Sequence, residues 1–342
     1  MAEVLKAMYN KEFLQSFGDK VRAVHATFNT ENFVETAMDK TWDGLALMAR
    51  MSRITENLRK YLPIQYVEVL NVLFAIDETC IGFPYLFFPS FVAAYGQEEE
   101  HWALSMRALE RFTQRSSSEF AIRAFLLRDP ERVMSQMTIW SKHQNEHVRR
   151  LASEGCRPRL PWGVGLPMFK RDPTPVLPIL EQLKADPSLY VRKSVANNLN
   201  DIAKDHPSVV LETARRWKGI YPNSDWIVRQ GCRTLIRKSN PEAMELFGYE
   251  NPTDMASLTT SASLSVLPSS PAIGESCELQ YELCIRDGKP THLRIEYGID
   301  FVNLTTRRHY PGKHRIALLV NGQEVAYTVF KLCMSGPIKV GK

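Results

Sequence analysis

Residues 145–162 read NEHVRRLASEGCRPRLPW, residues 188–207 read SLYVRKSVANNLNDIAKDHP, and residues 225–238 read DWIVRQGCRTLIRK. The three align on a Val-Arg pair, with Val148, Val191 and Val228 as anchors spaced 43 and 37 residues apart. A weaker copy, SEFAIRAFLL from Ser118, puts Ile122-Arg123 in the same place. Around these anchors apolar residues recur at helical spacing, so each copy predicts a helix with one buried face.

A repeat of about 40 residues built from helices is the signature of a HEAT-like solenoid, in which each unit buries its apolar face only against its neighbours. The helical pattern extends toward the N-terminus through 2–17, 21–28, 31–57, 67–76, 98–113 and 120–127. Asp129-Pro130, Asp172-Pro173, Asp186-Pro187, His206-Pro207 and Asn240-Pro241 punctuate the array. Proline there falls near helix starts, where its missing N–H is harmless. After Asn240 the pattern changes. Residues 251–270 are rich in Ser, Thr and Pro, and alternating runs follow at 277–285, 292–297, 315–319 and 324–330. Asn321-Gly322 between the last two is a two-residue hairpin signal, and Asp287-Gly288 marks another turn. The fold class is therefore mainly α: a helical-repeat solenoid at 1–250, a linker at 251–262, and a small Ig-like β-sandwich at 263–342.

The 342 residues are 44% hydrophobic and 24% charged, an ordinary globular composition. No stretch has the roughly 18–20 apolar residues of a membrane span, since the best candidate, 81–94, contains Pro84 and Pro89. The N-terminus lacks a signal-peptide h-region, and six cysteines never form a C-x-x-C, so a reduced, cytoplasmic protein without a structural zinc ribbon is expected. His143 and His147 form an H-x-x-x-H pair, but Gln144 follows the first histidine where a metalloprotease motif needs Glu, so no metal is expected.

The net charge of +5 is unevenly placed. Residues 141–240 carry 18 Lys and Arg against nine Asp and Glu, a balance of +9, while the flanking segments are slightly negative. Such a block is either a solvated basic face or the footprint of a polyanion. Arg149, Arg192 and Arg229 follow the anchor valines and suit bridges between repeats. The next position holds Arg150 and Lys193, cations without a packing need that suit phosphate contact. Arg229, Arg233 and Arg237 form an i, i+4, i+8 stripe. Glu154, one turn after Arg150, reads on its own as an exposed ion pair. The chain then leaves the helix at Gly155 and presents Arg157, Arg159 and Trp162 on a proline-stiffened loop. Two cations beside an aromatic platform suit a nucleobase and its phosphates, while Trp162 equally suits a core gap.

The strings VRRLASEG, RPRLPW and VRKSVANNLNDIAKDHP together resemble the HEAT-like DNA alkylation repair glycosylases, the AlkC/AlkD superfamily, and the AlkC branch above all. A β domain after the array also resembles one AlkC subgroup, so the likeness covers nearly the whole chain. It implies a monofunctional glycosylase that releases cationic N3-methylated bases, 3-methyladenine and 3-methylcytosine, from double-stranded DNA. No cofactor and no obligate protein partner are expected, and a monomer is expected because the apolar surfaces can be used in stacking. By matching positions the likeness places Glu154, Asp201, Trp162 and Glu119 at the lesion, with Arg150 completing the cluster. Arg150, Lys193, Arg157, Arg159 and Arg233 are expected on DNA. Arg307 and Arg308, in a basic loop at 307–313 of the β domain, are expected to reach DNA too. The competing reading is a non-enzymatic HEAT scaffold for DNA or protein. Carboxylates inside a basic face distinguish the two, because they repel phosphate but favour a cationic lesion.

Overall fold

The structure, a computed structural model, describes residues 5–249, 259–285, 293–295, 301 and 309–334. It divides into two compact units, Met1–His206 with Trp217–Gly231, and Pro207–Arg216 with Cys232–Lys342.

Among the described residues the regular elements of the first unit are all helices. Helices Ile122–Arg128, Pro130–Trp140, Glu146–Gly155, Leu189–Ile202 and Pro222–Gly231 stack in sequence. Val148, Val191 and Val228 are all fully buried, as anchors of a repeat must be. Close stacking needs small residues at the crossings. A Cβ on Gly155 would lie 2.7 Å from Ile122 Cγ2, and one on Gly231 would lie 2.9 Å from Leu199 Cβ. Pro130 opens its helix behind Asp129, whose side chain accepts the Arg132 N–H at 3.1 Å.

The structure redraws several N-terminal boundaries. One helix, Lys11–Val24, replaces the break expected between 17 and 21, and Asn10 caps it. The pattern over 31–57 is two helices, Thr30–Ala37 and Leu47–Tyr61. Between them Asp39 accepts bonds from the Thr41 N–H at 2.9 Å and its hydroxyl at 2.6 Å, turning the chain without a proline. A further helix, Phe87–Tyr95, lies in the apolar stretch 81–94, where the sequence reading assigned no helix. Pro89 is its third residue, in the first turn where N–H groups have no intrahelical partner. No helix among the described residues is long and apolar enough to cross a membrane.

The second unit carries helices Arg233–Arg237 and Pro241–Leu246 and the strands. Strand β1 (Thr259–Leu267) pairs antiparallel with β2 (Glu278–Ile285). A second antiparallel sheet runs β3 (Leu293–Ile295), β4 (Gly312–Val320), β5 (Gln323–Leu332), in that order. Asn321 and Gly322 take φ of 45° and 85° between the paired Val320 and Gln323, the left-handed turn that the Asn-Gly signal predicts. Val266, Cys277, Phe301, Ile316, Phe330 and Leu332 form the core. This is the Ig-like domain after the array. Its first strand occupies residues 259–262, which were expected in the linker. The Asp287-Gly288 turn, Arg307 and Arg308 lie outside the described residues.

Candidate active site

The helix Glu146–Gly155 begins at Asn145, whose side chain accepts the His147 N–H at 2.8 Å. Glu154 therefore stands in its last turn. Asp201 stands in the last turn of Leu189–Ile202. Carboxylates are disfavoured at a helix C-terminus, where carbonyl dipoles point outward. Each is held by two cations. Arg157 donates from Nη1 to Glu154 Oε1 at 2.6 Å and from Nε to Asp201 Oδ2 at 2.9 Å. Lys204 Nζ adds 3.0 Å to Asp201 Oδ1, and Arg150 Nη2 lies 3.6 Å from Glu154 Oε1. Among the described residues, Glu154 Oε2 receives no hydrogen bond.

These groups are buried, contrary to an exposed-face placement: Glu154 is 5%, Asp201 2% and Arg157 7% exposed. Arg157 also departs from the expectation that it meets a phosphate. The Arg157 N–H bonds Glu154 O, so the chain turns back as the helix ends and aims the guanidinium inward. Burial acts against the Arg157 charge, but Glu154 and then Asp201 outweigh it and hold the guanidinium above its ordinary pKa.

Arg150 is likewise drawn inside. It ion-pairs Glu119 through Nη1, and its guanidinium lies 4.6 Å from the centre of the Tyr190 ring. The Ser117 hydroxyl donates to Glu119 Oε2 at 2.6 Å. Burial opposes the Arg150 charge, while Glu119 and Glu154 prevail and raise its pKa. Glu119, Arg150, Glu154, Arg157 and Asp201 thus form one chain of alternating charge. An arginine turned wholly onto carboxylates is a poor phosphate ligand in this state. Arg159 makes a two-pronged pair with Asp205, 2.6 Å from Nη2 to Oδ1, at a more open position.

Trp162 lies on the segment between this helix and the next. It is 54% exposed, with φ of 63°, so it does not fill a core gap. Its ring meets Phe83 edge-on at 6.4 Å. Arg123 holds the segment from beneath, donating from Nη1 to Gly155 O at 3.0 Å and Arg157 O at 2.9 Å.

Lys193 is exposed and without an ion-pair partner among the described residues. Of the two arginines expected to bridge repeats, Arg149 does so and Arg192 instead ties its own helix to the turn before it. Arg149 pairs with Asp186 at 2.7 Å, and Arg192 donates to Asp186 O and Pro187 O at 2.8 Å each. Arg233 is half-buried in the second unit. Tyr190 and Lys204 were missed by sequence reasoning, although each had a positional signal: Tyr190 precedes the anchor Val191, and Lys204 follows Asp201 by three residues.

Residues 300–334 match the family model described as "Uncharacterised protein YhaZ, C-terminal Ig-like domain". The chain is 42% identical to the uncharacterized protein YhaZ of Bacillus subtilis (strain 168), over 96% of this chain and 99% of that one. It is 36% identical to the alkylpurine DNA glycosylase AlkC of Pseudomonas fluorescens, in a structure bound to DNA containing an abasic-site analogue. That superposition has a TM-score of 0.84 and covers 96% of this chain and 99% of the other.

Proposed function

The chain belongs to the AlkC family of the AlkC/AlkD superfamily, and on that basis we propose that it is a DNA alkylation-repair glycosylase. It hydrolyses the N-glycosidic bond of cationic N3-methylated bases, 3-methyladenine and 3-methylcytosine, in double-stranded DNA and leaves an abasic site. The observation that carries this reading is the pair of buried carboxylates, Glu154 and Asp201, joined by Arg157 within a basic segment.

The chemistry suits these residues. A base methylated at N3 carries a positive charge and departs as a neutral molecule, so no strong general acid is needed. As the bond to C1′ breaks, positive charge moves onto the deoxyribose. A fixed carboxylate stabilises that charge without reorganising. Asp201, with both oxygens bonded, is suited to this electrostatic role. Glu154 has Oε2 free to accept a proton from water as the water oxygen bonds to C1′. The Trp162 indole offers a face to the cationic base or sugar, worth about 0.5–2 kcal/mol. Lys204, the lysine at this site, is tied to Asp201, which argues against a lyase step through an imine. A protein that acts on nucleoid DNA as a cytoplasmic monomer fits this reading.

The test is single-turnover release of 3-methyladenine from alkylated DNA by Asp201→Asn and Glu154→Gln. Each is expected to slow release about 100-fold, with an unchanged circular dichroism spectrum. Wild-type rates in both folded variants refute the assignment.

A further inference from the structure

Arg123 occupies the repeat position that Arg149 and Arg192 occupy in the next units, yet it is bonded differently. Arg149 and Arg192 donate to carbonyls five or six residues upstream, those of His143, Gln144, Asp186 and Pro187. These bonds tie each helix to the turn before it. Arg123 reaches 32 to 41 residues downstream instead. Its Nη1 bonds Gly155 O and Arg157 O, and its Nε bonds Val164 O at 2.5 Å. The side chain is 1% exposed, and Nη2 is buried with no partner. It has no carboxylate within ion-pair distance among the described residues.

A fully buried cation served only by carbonyls is costly to keep, and stacking does not require one so deep, since Arg149 pairs with the Asp186 carboxylate and Arg192 stays half-buried. What it holds is specific. Two of its acceptors lie at the start of one segment and one at the end, and the Leu166 N–H closes the same segment onto Pro158 O at 3.2 Å. Between these ends lies Trp162. A bulky residue at φ of 63° is strained, and such strain persists where the surroundings over-determine the backbone. We propose that Arg123 is a positioning residue for base excision: by clamping residues 155–164 it holds Trp162 toward the lesion. This rests on the reading of Trp162 as a lesion-contacting residue.

The experiment uses the full chain with Arg123→Lys, Trp162→Ala and their double variant. A lysine ammonium keeps the charge but lacks the rigid fork that serves both ends of the segment at once. Arg123→Gln, which removes the buried charge and keeps an amide donor, serves where the lysine variant does not fold, with the same expectations. Hydrogen exchange of the free protein should quicken about tenfold at amides in 157–166 and nowhere outside the segments it touches. Excision with saturating protein should slow about two- to thirtyfold in each single variant, while affinity for DNA with an abasic-site analogue stays near wild type. The double variant should be no slower than the slower single one. Unchanged exchange at 157–166, or losses that multiply in the double variant, overturn the clamp. Trp162→Ala at the wild-type rate overturns the lesion reading instead, and the proposal with it.

Discussion

Glu154 and Asp201 share one guanidinium, and this sharing makes Arg157 the residue whose loss has the widest effect. Arg157→Met leaves two buried carboxylates each with a single cation, and should cost about 3–5 kcal/mol of stability. The denaturant midpoint measures this. Arg157→Lys restores a charge but not two diverging donors, so it should recover much of the stability and little of the excision rate. Lys193 is the opposite case, exposed and unpaired. Lys193→Ala should leave excision at saturation unchanged and lower the salt slope of DNA binding by about 0.9 if it neutralises one phosphate. An unchanged slope removes it from the interface. Cys156 lies fully buried beside these groups, and burial pushes its thiol up to about 12. The folded thiol keeps its proton where the unfolded one, near 8.5, loses it. Its contribution is therefore fully present below about pH 8.5 and is lost as pH rises toward 12. At pH 8.5 the native protein should expose Cys284 to a thiol reagent and protect Cys156 until unfolding.

At the scale of elements, the two helices that end in the carboxylates must keep one spacing. Arg149 on Glu146–Gly155 forms a two-pronged pair with Asp186, which also accepts the Ser188 N–H at 2.9 Å ahead of Leu189–Ile202. Deeper in the contact, the Ser153 and Ser194 hydroxyls meet at 2.6 Å and Asn198 donates to Ser153 O at 2.8 Å. Asp186→Asn should cost about 2–3 kcal/mol and slow excision as well, because it loosens the register that sets Glu154 against Asp201. Asn145→Ala, which removes only a cap, should cost about 1 kcal/mol with a smaller catalytic effect. Thermal unfolding and single-turnover rates on the same samples separate the two. The Val-Arg repeat and the helical spacing around it made these helices legible. The division of 31–57 was missed: Asp43-Gly44 in the connecting segment was its one turn signal, and Asp39 makes the turn by side-chain bonds that the helical spacing does not announce.

At the scale of the whole molecule, the charge balance separates the parts. The +9 of residues 141–240 suits long-range attraction of a polyanion, and the β domain is nearly neutral. Deleting residues 260–342 should weaken DNA binding and excision if the domain's basic loop at 307–313 meets DNA, while the first unit remains folded through its own stacking contacts. Gel shift and excision by the truncated chain are the measures. Wild-type behaviour makes the domain dispensable, and loss of helical signal makes it a cap on the array.

The sequence by itself determined the repeat, the hairpin at Asn321-Gly322, the basic block and the carboxylates within it, because each is a local pattern of period, turn chemistry or charge. Only the tertiary structure decided what the arginines do. Arg150 and Arg157 read as phosphate ligands along the chain, yet in the fold the repeats bring Glu119 and Asp201 against them from 31 and 44 residues away. A carboxylate at that range carries no local signal. Once the fold sets such a carboxylate beside a guanidinium in a buried position, leaving either charge unpaired is strongly destabilising, so the two meet inside rather than facing solvent.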